Sequence, residues 1–304
     1  MTSVAHPVEQ EKAAGEKRRR LPWSSVRAGT WAGALPFFAF MAFFLIFPLL
    51  ANLVTAFRAP DGSFSFETMA EAMDSTHREA FVLTTKLSVL TAFIGAILGT
   101  VLAWALQSAR KPAWLNSLVR SFSALASQSG GVNLAYAFIA LLGVQGLLTG
   151  ILNKLFPGML DGFSITSFTG VTLVYLYFQI PLMAVLMLPA LGGIKKQWYE
   201  AAASLGATRA QYLRDVVIPV LWPTLLGSFL LLFANSFAAY ATAFALAGGS
   251  LNLVPILIGF YISGNVLLNP GLAAGLVTWM MVIILAAMGI RFYLTRKSDQ
   301  WLKN

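Results

Sequence analysis

The chain has 304 residues, of which 58% are apolar and 11% are charged, and its mean hydropathy is +0.72. Soluble domains carry about 25% charged residues, so this composition excludes a water-soluble domain, and the long apolar runs predict an all-α integral membrane protein. The chain has no cysteine and two histidines, so disulfides, thiolate nucleophiles and a metal centre are not expected.

The first two membrane spans are expected in the amino-terminal third. An apolar run over about 31–57 is too long for the core of a signal peptide and predicts an uncleaved first span. An acidic segment at 58–80 follows it. The second span is expected over about 81–109, where the spacing of Gly95 and Gly99 is typical of a helix-packing face.

Four further spans are expected, which makes six in all. They cover about 118–142, 169–190, 220–247 and 271–293. The first of these four is unusually polar in its first half, and such a run is costly against lipid. We therefore expect it to face protein or water, with Ser129 and Asn133 on one side of a helix at an i, i+4 spacing.

Polar side chains inside the expected spans are candidates for lining a solute path. They are Gln128, Ser129, Asn133, Tyr136, Tyr177, Gln179, Asn235, Ser236 and Tyr240. Polar residues in spans also join helices to one another, with about 0.6 to 2 kcal/mol each. For any one residue the joining role is the simpler interpretation, whereas for the whole set we prefer a shared cavity. No acidic residue lies in an expected span, so a charged solute would meet hydroxyls, amides, backbone dipoles and aromatic faces.

The second half of the chain has one long polar interruption, Trp198 to Pro223, with apolar spans on both sides. Residues from Glu200 to Leu205 are rich in helix formers, and Gly206 can take the left-handed conformation that ends a helix. This pattern predicts a short helix that stops at Gly206. An element of this kind is expected to project from a membrane surface and to serve in docking.

A second helix is predicted directly after the first. Thr208 with Gln211 three residues later predicts a capping box, and we expect the helix that it begins to end before Pro219. The cytoplasmic loop that carries both helices is expected over 194–219.

The residues of this loop have a specific spacing. Three residues separate Glu200-Ala201-Ala202 from Gly206, and nine more precede Val216-Val217-Ile218-Pro219. This pattern resembles the cytoplasmic signature of permease subunits of binding-protein-dependent ABC importers, written EAA, x3, G, x9, I-x-L-P. Val216 and Ile218 depart from the Ile and Leu of that pattern, but both keep an apolar side chain.

The resemblance implies the fold of a type I ABC importer permease, with six transmembrane helices and a coupling helix between spans 4 and 5. The coupling helix would sit in a groove of the ATP-hydrolysing subunit. The residues expected to make this contact are Glu200, Ala201, Ala202, Ala203, Ser204, Leu205, Gly206, Ala207, Thr208, Arg209 and Pro219. Taken alone, Glu200 could be an ordinary carboxylate of a first helical turn, and the nearby Lys and Arg side chains could be ordinary cytoplasmic charges.

The resemblance also implies partners. They are two ATP-binding subunits, a second and non-identical permease subunit, an extracytoplasmic substrate-binding protein and membrane lipid, with no nucleic acid. The sequence has no GxxxxGK[ST] phosphate-binding motif, so we expect a non-catalytic subunit, with ATP and Mg²⁺ bound by the partner ATPase.

The third to sixth spans resemble most closely the branch that carries polyamines, ferric iron, thiamine and phosphonates. A polyamine-like or phosphonate-like solute is the resulting expectation, and a permease of the sugar-transporting type is the alternative. The residues themselves do not decide the solute.

The orientation follows from the basic residues. Apart from Arg58, Arg78, Lys86 and Lys154, all of them fall on the side that holds both termini, the tails 1–30 and 294–304, and the signature loop, whereas the acidic residues divide equally. The positive-inside rule makes this side cytoplasmic and explains the net charge of +9. We expect a multi-pass protein of a bacterial plasma (inner) membrane.

Two other classes of membrane protein are alternatives. Ser129-Gly130-Gly131 could belong to an intramembrane serine protease, but no histidine lies in an expected span to act as its base. A secondary transporter often has paired broken helices and ionisable groups within the membrane, which this sequence does not clearly show.

Overall fold

The computed structural model describes residues 33–59, 62–108, 113–263 and 268–301. The expected tail 1–30 lies outside these residues. The described helices are α1 (Gly33–Ala56), α2 (Glu67–Glu71), α3 (Ser75–Ser108), α4 (Ala113–Gln128), α5 (Val132–Leu142), α6 (Leu147–Leu155), α7 (Phe168–Gly192), α8 (Lys196–Ser204), α9 (Arg209–Phe237), α10 (Tyr240–Ala247), α11 (Val254–Ser263) and α12 (Pro270–Trp301).

The chain divides into two units, Met1–Ala51 and Asn52–Asn304. The described part of the first unit is the beginning of α1, in which Ala42–Ile46 form one π-helical turn. The rings of Phe43 and Phe47 stack along this helix with their centroids 6.0 Å apart.

Among the described residues, six helical segments are long and apolar enough to cross a membrane, and the expected all-α architecture with six spans is confirmed. By length and composition they are Gly33–Ala56, Ser75–Ser108, Val132–Leu155 (which contains α5, a turn and α6), Phe168–Gly192, Arg209–Phe237 and Pro270–Leu294. The second begins before the expected 81–109, and α12 continues through much of the expected tail 294–304. A bilayer core is about 30 Å thick, so a crossing helix needs about 20 residues.

Two clusters of buried side chains form the core of the second unit. One joins α3, α7, α9 and α12 and includes Met183, Leu232 and Leu276. The other joins α5, α7, α10 and α11 and includes Val174 and Ile256. Because α7 contributes to both clusters, it is the central helix of this unit.

Gly95 and Gly99 form a close contact between α3 and α7, as their spacing predicts. A Cβ atom at Gly95 would lie 3.0 Å from Cβ of Gln179, and one at Gly99 would lie 2.5 Å from the carbonyl oxygen of Ile180. The backbones of the two helices can approach this closely only because neither glycine has a side chain.

The expected span 118–142 consists of two helices, α4 and α5, which are separated at Ser129–Gly131. Gly131 has a φ of +105°, a conformation that favours glycine, and its N–H donates to Oγ1 of Thr242 on α10 at 2.7 Å. The expectation that Ser129 and Asn133 share one face of a continuous helix is therefore wrong. The glycine pair ends α4 and allows α5 to start in a new direction.

The second helix of the signature loop does not end before Pro219, so that expectation is also wrong. Leu213–Val217 form a π-helical turn in which Ile218 N–H donates to the carbonyl of Leu213, five residues earlier. Proline has no N–H to donate, and the wide turn directly before it accommodates this missing bond. Consequently α9 runs from the loop into the membrane and ends at Phe237, and α10 forms the rest of the expected span 220–247.

Candidate functional site

The polar loop between α7 and α9 forms a helical hairpin, which we define as residues 195–212. Its first arm, α8, begins at Lys196 and carries an ion pair between Lys196 Nζ and Glu200 Oε1 at 2.8 Å. Both side chains are exposed, and a surface pair at i, i+4 contributes only about 0.3–0.5 kcal/mol. Glu200 is therefore not committed to a structural role in the hairpin.

A Schellman motif ends α8. Gly206 has a φ of +83°, its N–H donates to the carbonyl of Ala203 at 3.0 Å, and the N–H of Ala207 donates to the carbonyl of Ala202 at 3.0 Å. These two bonds satisfy carbonyls that a helix end otherwise leaves without partners. The predicted left-handed glycine is confirmed.

The second arm begins with the predicted capping box. Thr208 Oγ1 accepts from the N–H of Gln211 at 3.3 Å, and Gln211 Oε1 accepts from the N–H of Thr208 at 2.8 Å. Each of the two side chains accepts a hydrogen bond from the backbone N–H of the other residue. The turn between the arms is thus closed on both sides by local hydrogen bonds.

Two tyrosines brace the arms against each other. The rings of Tyr199 on α8 and Tyr212 on α9 meet edge to face with their centroids 5.3 Å apart, and Arg209 Nε donates to the hydroxyl of Tyr199 at 3.4 Å. Tyr212 also packs against the buried cluster that joins α3, α7, α9 and α12. This pair is not among the expected residues, and its signal in the sequence would have been two aromatic residues on the inner sides of the two predicted helices.

The outer surface of the hairpin is open. Leu205 at its tip is 89% exposed, and nothing lies within 4 Å of the position that a Cβ of Gly206 would occupy. Of the expected docking residues, Ala202 and Ala207 are half-buried, and Glu200, Ala201, Ala203, Ser204, Leu205, Gly206, Thr208 and Arg209 are exposed. The structure brings these residues together on one tip, whereas Pro219 lies apart from them inside α9.

Two of the candidate path residues are buried and join helices. Gln179 on α7 is 0% exposed, and its Nε2 donates to the carbonyl of Leu232 on α9 at 2.8 Å. The hydroxyl oxygens of Ser236 on α9 and Thr91 on α3 are 2.9 Å apart. These contacts tie three spans together at one level and match the alternative interpretation of interhelical joining.

We call Gln179, Thr91 and Ser236 the polar layer, and the exposed Asn235 lies at its edge. Since a backbone carbonyl only accepts, the Gln179 amide must direct its NH₂ towards Leu232, and its Oε1 must face the other way. Asn235 Nδ2 lies 3.5 Å from that Oε1. The exposed Asn235 amide therefore turns its NH₂ towards the protein and leaves its carbonyl oxygen on the open side.

Four further candidates lie around the break between α4 and α5. Gln128, Ser129, Asn133 and Tyr136 are all exposed. Ser129 Oγ donates to the carbonyl of Leu125 at 2.7 Å, which is an ordinary bond at a helix end. The protease alternative would need a histidine beside Ser129. The imidazole of His77 instead contacts the hydroxyl of Tyr261, with Nε2 2.9 Å from that oxygen.

The last two candidates are aromatic. Tyr177 is half-buried between the rings of Phe122 and Phe138, with centroid distances of 6.4 and 5.5 Å. Tyr240 lines an apolar cavity of about 440 Å³ together with side chains of α11 and α12. A Cβ at Gly259 would lie 2.7 Å from the Tyr240 ring, so the tyrosine position depends on that glycine. Of the nine candidates, Gln179 and Ser236 are thus buried, Tyr177 is half-buried, and the other six are exposed.

Two solved structures of ABC transporters contain a chain with a similar fold. One is the "bacterial ABC transporter involved in the import of the acidic polysaccharide alginate", with a TM-score of 0.71 and 17% identity over 90% of this chain and 98% of the other. A second structure, of a bacterial alginate ABC transporter with a pentasaccharide-bound periplasmic protein, has a TM-score of 0.69. The described chain is therefore a multi-pass helical membrane protein with the fold of an ABC importer's membrane subunit.

The sequence relatives are permeases. The chain is 30% identical over 182 residues to the "Probable sulfate transport system permease protein cysT" of Chlorella vulgaris, covering 58% of this chain and 64% of that protein. It is 28% identical to the "Putative ferric transport system permease protein FbpB 1" of Haemophilus influenzae, covering 82% and 39%. It is also 28% identical to the "Spermidine/putrescine transport system permease protein PotC" of the same species, covering 46% and 53%. No family model matches the chain.

These sequence relatives are named as permeases of transport systems, and the structures with a similar fold belong to ABC transporters, which agrees with the class that the signature resembles. The chain spans 64%, 39% and 53% of the lengths of these three relatives, which is less than two thirds in each case.

Proposed function

We propose that this chain forms half of the translocation path of a binding-protein-dependent importer and couples that path to ATP hydrolysis by partner subunits. The hairpin supports the coupling role because its exposed tip carries the signature residues, and local bonds and the tyrosine pair hold it in shape. The subunit itself performs no catalysis, and ATP with Mg²⁺ binds to its partners.

The continuity of α9 is the observation that carries this proposal. From Arg209 to Phe237 it has 29 residues, which at 1.5 Å per residue is roughly 43 Å. A partner that moves the hairpin therefore moves the start of one continuous helix, which has Asn235 and Ser236 near its far end. Such a helix can pass a displacement at the membrane surface to the polar contacts around Gln179.

The solute is proposed to be small and charged. The relatives are named for sulfate, ferric and spermidine/putrescine transport, and a polyamine-like or phosphonate-like solute remains our preferred choice among such solutes. The exposed amides and hydroxyls around Asn133 and Asn235 would meet it without a carboxylate. A sugar-type permease is the alternative, and the alginate importers do not favour it because 16–17% identity supports the fold alone.

The proposed complex contains two ATP-binding subunits, a second and non-identical permease, and an extracytoplasmic binding protein. Both termini and the hairpin would face the cytoplasm of a bacterium, and the segments 58–80 and 248–270 would face outward. This orientation brings the hairpin within reach of a soluble ATPase.

Cysteine labelling and cross-linking test this proposal, because the chain has no native cysteine. In intact cells, cysteine at Ser204 should be shielded from an impermeant thiol reagent and cysteine at Ser63 should react. In membranes that contain the proposed partner ATPase, Leu205→Cys should cross-link to that ATPase. Gly289→Cys on the exposed side of α12 is the control and should not cross-link to it. The reverse labelling pattern, or no link from Leu205, would overturn the proposal.

A further inference from the structure

The segment between α5 and α7 has an exposed apolar surface that the transport function does not explain. Leu147, Ile151 and Leu155 are 69%, 45% and 66% exposed. They recur at every fourth position of α6 and therefore lie along one side of that helix. We call these three residues the apolar strip.

The strip belongs to an amphipathic helix. At 3.6 residues per turn, Lys154 borders the strip, whereas Asn153 lies on the opposite side of the helix. Leu148 and Leu152 are half-buried and lie beyond the strip on the side away from Lys154. The helix therefore has one apolar side left open, with a single cation at its margin.

The helix α6 is too short to cross a bilayer and does not continue the preceding span. It has nine residues, roughly 14 Å, whereas the hydrocarbon core is about 30 Å thick. Gly146 N–H donates to the carbonyl of Gly143 at 2.8 Å, so a β-turn separates α5 from α6. The apolar sequence Val132–Leu155 is thus not one crossing helix, although its length and composition would allow it.

Two neighbouring segments place α6 at a membrane surface. Helices α4 and α5 have 16 and 11 residues, roughly 24 and 16 Å, which together suffice for one crossing before the turn. Helix α7, with 25 residues, crosses in the return direction and begins at Phe168, shortly after α6. The segment between these two crossings therefore lies at the end of the spans.

We propose that α6 is an interfacial helix whose apolar strip is inserted into the lipid headgroup region of the leaflet in which α7 begins. Lipid is the occupant that fits, because exposed apolar side chains also precede the strip in the chain, among them Leu141 at the end of α5 and Val144 in the turn. Lys154 at its margin can extend its ammonium group to lipid phosphates while its methylenes cover apolar surface. Phe156 and Met159, both exposed, extend the same surface beyond the helix.

Spin labelling of the full chain in nanodiscs of phosphatidylcholine and phosphatidylglycerol tests the proposal. Nitroxides are placed singly at Leu147, Ile151 and Leu155, with Asn153 as the matched control on the opposite side of the same helix. Labels on the strip should collide more with oxygen than with Ni(II)-EDDA, at a depth of about 5–10 Å below the phosphates. The label at Asn153 should show the opposite preference.

Lys154→Glu provides a second variant that leaves the strip itself unchanged. It should move the label at Leu155 towards water in discs rich in phosphatidylglycerol and have a smaller effect in pure phosphatidylcholine. If the strip labels are as accessible to Ni(II)-EDDA as the Asn153 label, the strip lies in water, is open to a protein partner, and the proposal fails. If they are inaccessible to both reagents, protein covers the strip and the proposal also fails.

Discussion

Replacement of Gly206 by valine tests the coupling role of the hairpin most directly. Gly206 has a φ of +83°, and nothing lies within 4 Å of the position of its absent Cβ. The substitution therefore causes no collision with a neighbour and acts through the backbone alone. A residue with a Cβ costs roughly 1–2 kcal/mol in the left-handed conformation, and a β-branched residue resists it most.

A cost of this size changes the hairpin measurably. About 1–2 kcal/mol corresponds to a factor of roughly 5–30 in the population of the native turn. The alternative turn would lose the Schellman bonds to Ala202 and Ala203 and displace Leu205. In the reconstituted complex, Gly206→Val should strongly lower substrate-stimulated ATPase activity and transport, Gly206→Ala should lower them less, and Gly206→Asn should retain most of both, because asparagine tolerates this conformation.

Gly289→Val is the matched control. Gly289 is a helical glycine of α12 that also has nothing within 4 Å, but its φ is not positive. The amount of each variant in the membrane should equal that of the native protein. Full coupling in Gly206→Val would refute the coupling role of the hairpin, and an equal loss in Gly289→Val would show that the effect is general destabilisation.

Three other predictions concern the span interface, the path and the acid side of stability. Gly99→Ala should lower the thermal midpoint in detergent by the equivalent of about 1–3 kcal/mol, because its Cβ would overlap α7. The control Gly289→Ala should be neutral or stabilising. Equal midpoints for the two variants would contradict the close contact at Gly99. Asn133→Leu should lower transport while assembly and basal ATPase activity survive; normal transport would remove Asn133 from the path, and loss of assembly would make it a packing residue. Asp74 accepts a hydrogen bond from the backbone N–H of His77 at 2.8 Å, and this bond holds the pKa of Asp74 below its usual 3.8. The contribution of Asp74 to stability is therefore present above pH 3.8 and is lost as the pH falls through the lower folded-state pKa. The thermal midpoint of Asp74→Asn should vary less with pH on the acid side than that of the native chain.

Local sequence rules predicted the hairpin well. The helix formers before Gly206, the left-handed glycine and the reciprocal bonds of Thr208 and Gln211 involve residues at most five apart, so their geometry depends little on the rest of the fold. The number of spans was equally predictable, because a bilayer requires about 20 apolar residues for each crossing helix. The same local rules did not predict the course of α9 through Pro219, since a π-helical turn changes which carbonyl each N–H reaches.

The roles of polar residues in the spans could not be predicted from the sequence. Gln179 and Asn235 are both amides in apolar runs, yet one is completely buried and bonded to the carbonyl of Leu232, and the other is exposed. What distinguishes them is the direction of each side chain relative to neighbouring helices. That direction depends on crossing angles and close contacts such as the one at Gly95.

The sequence by itself determined the class of the protein, the number of its spans and the form of the hairpin, because hydrophobic length and local hydrogen bonds act over short stretches of chain. Only the tertiary structure decided that the third expected span breaks at Gly131, where Thr242 from a distant helix accepts the backbone N–H. It also decided which amides hold the helices together and which remain open, because burial results from the packing of helices that are far apart in sequence.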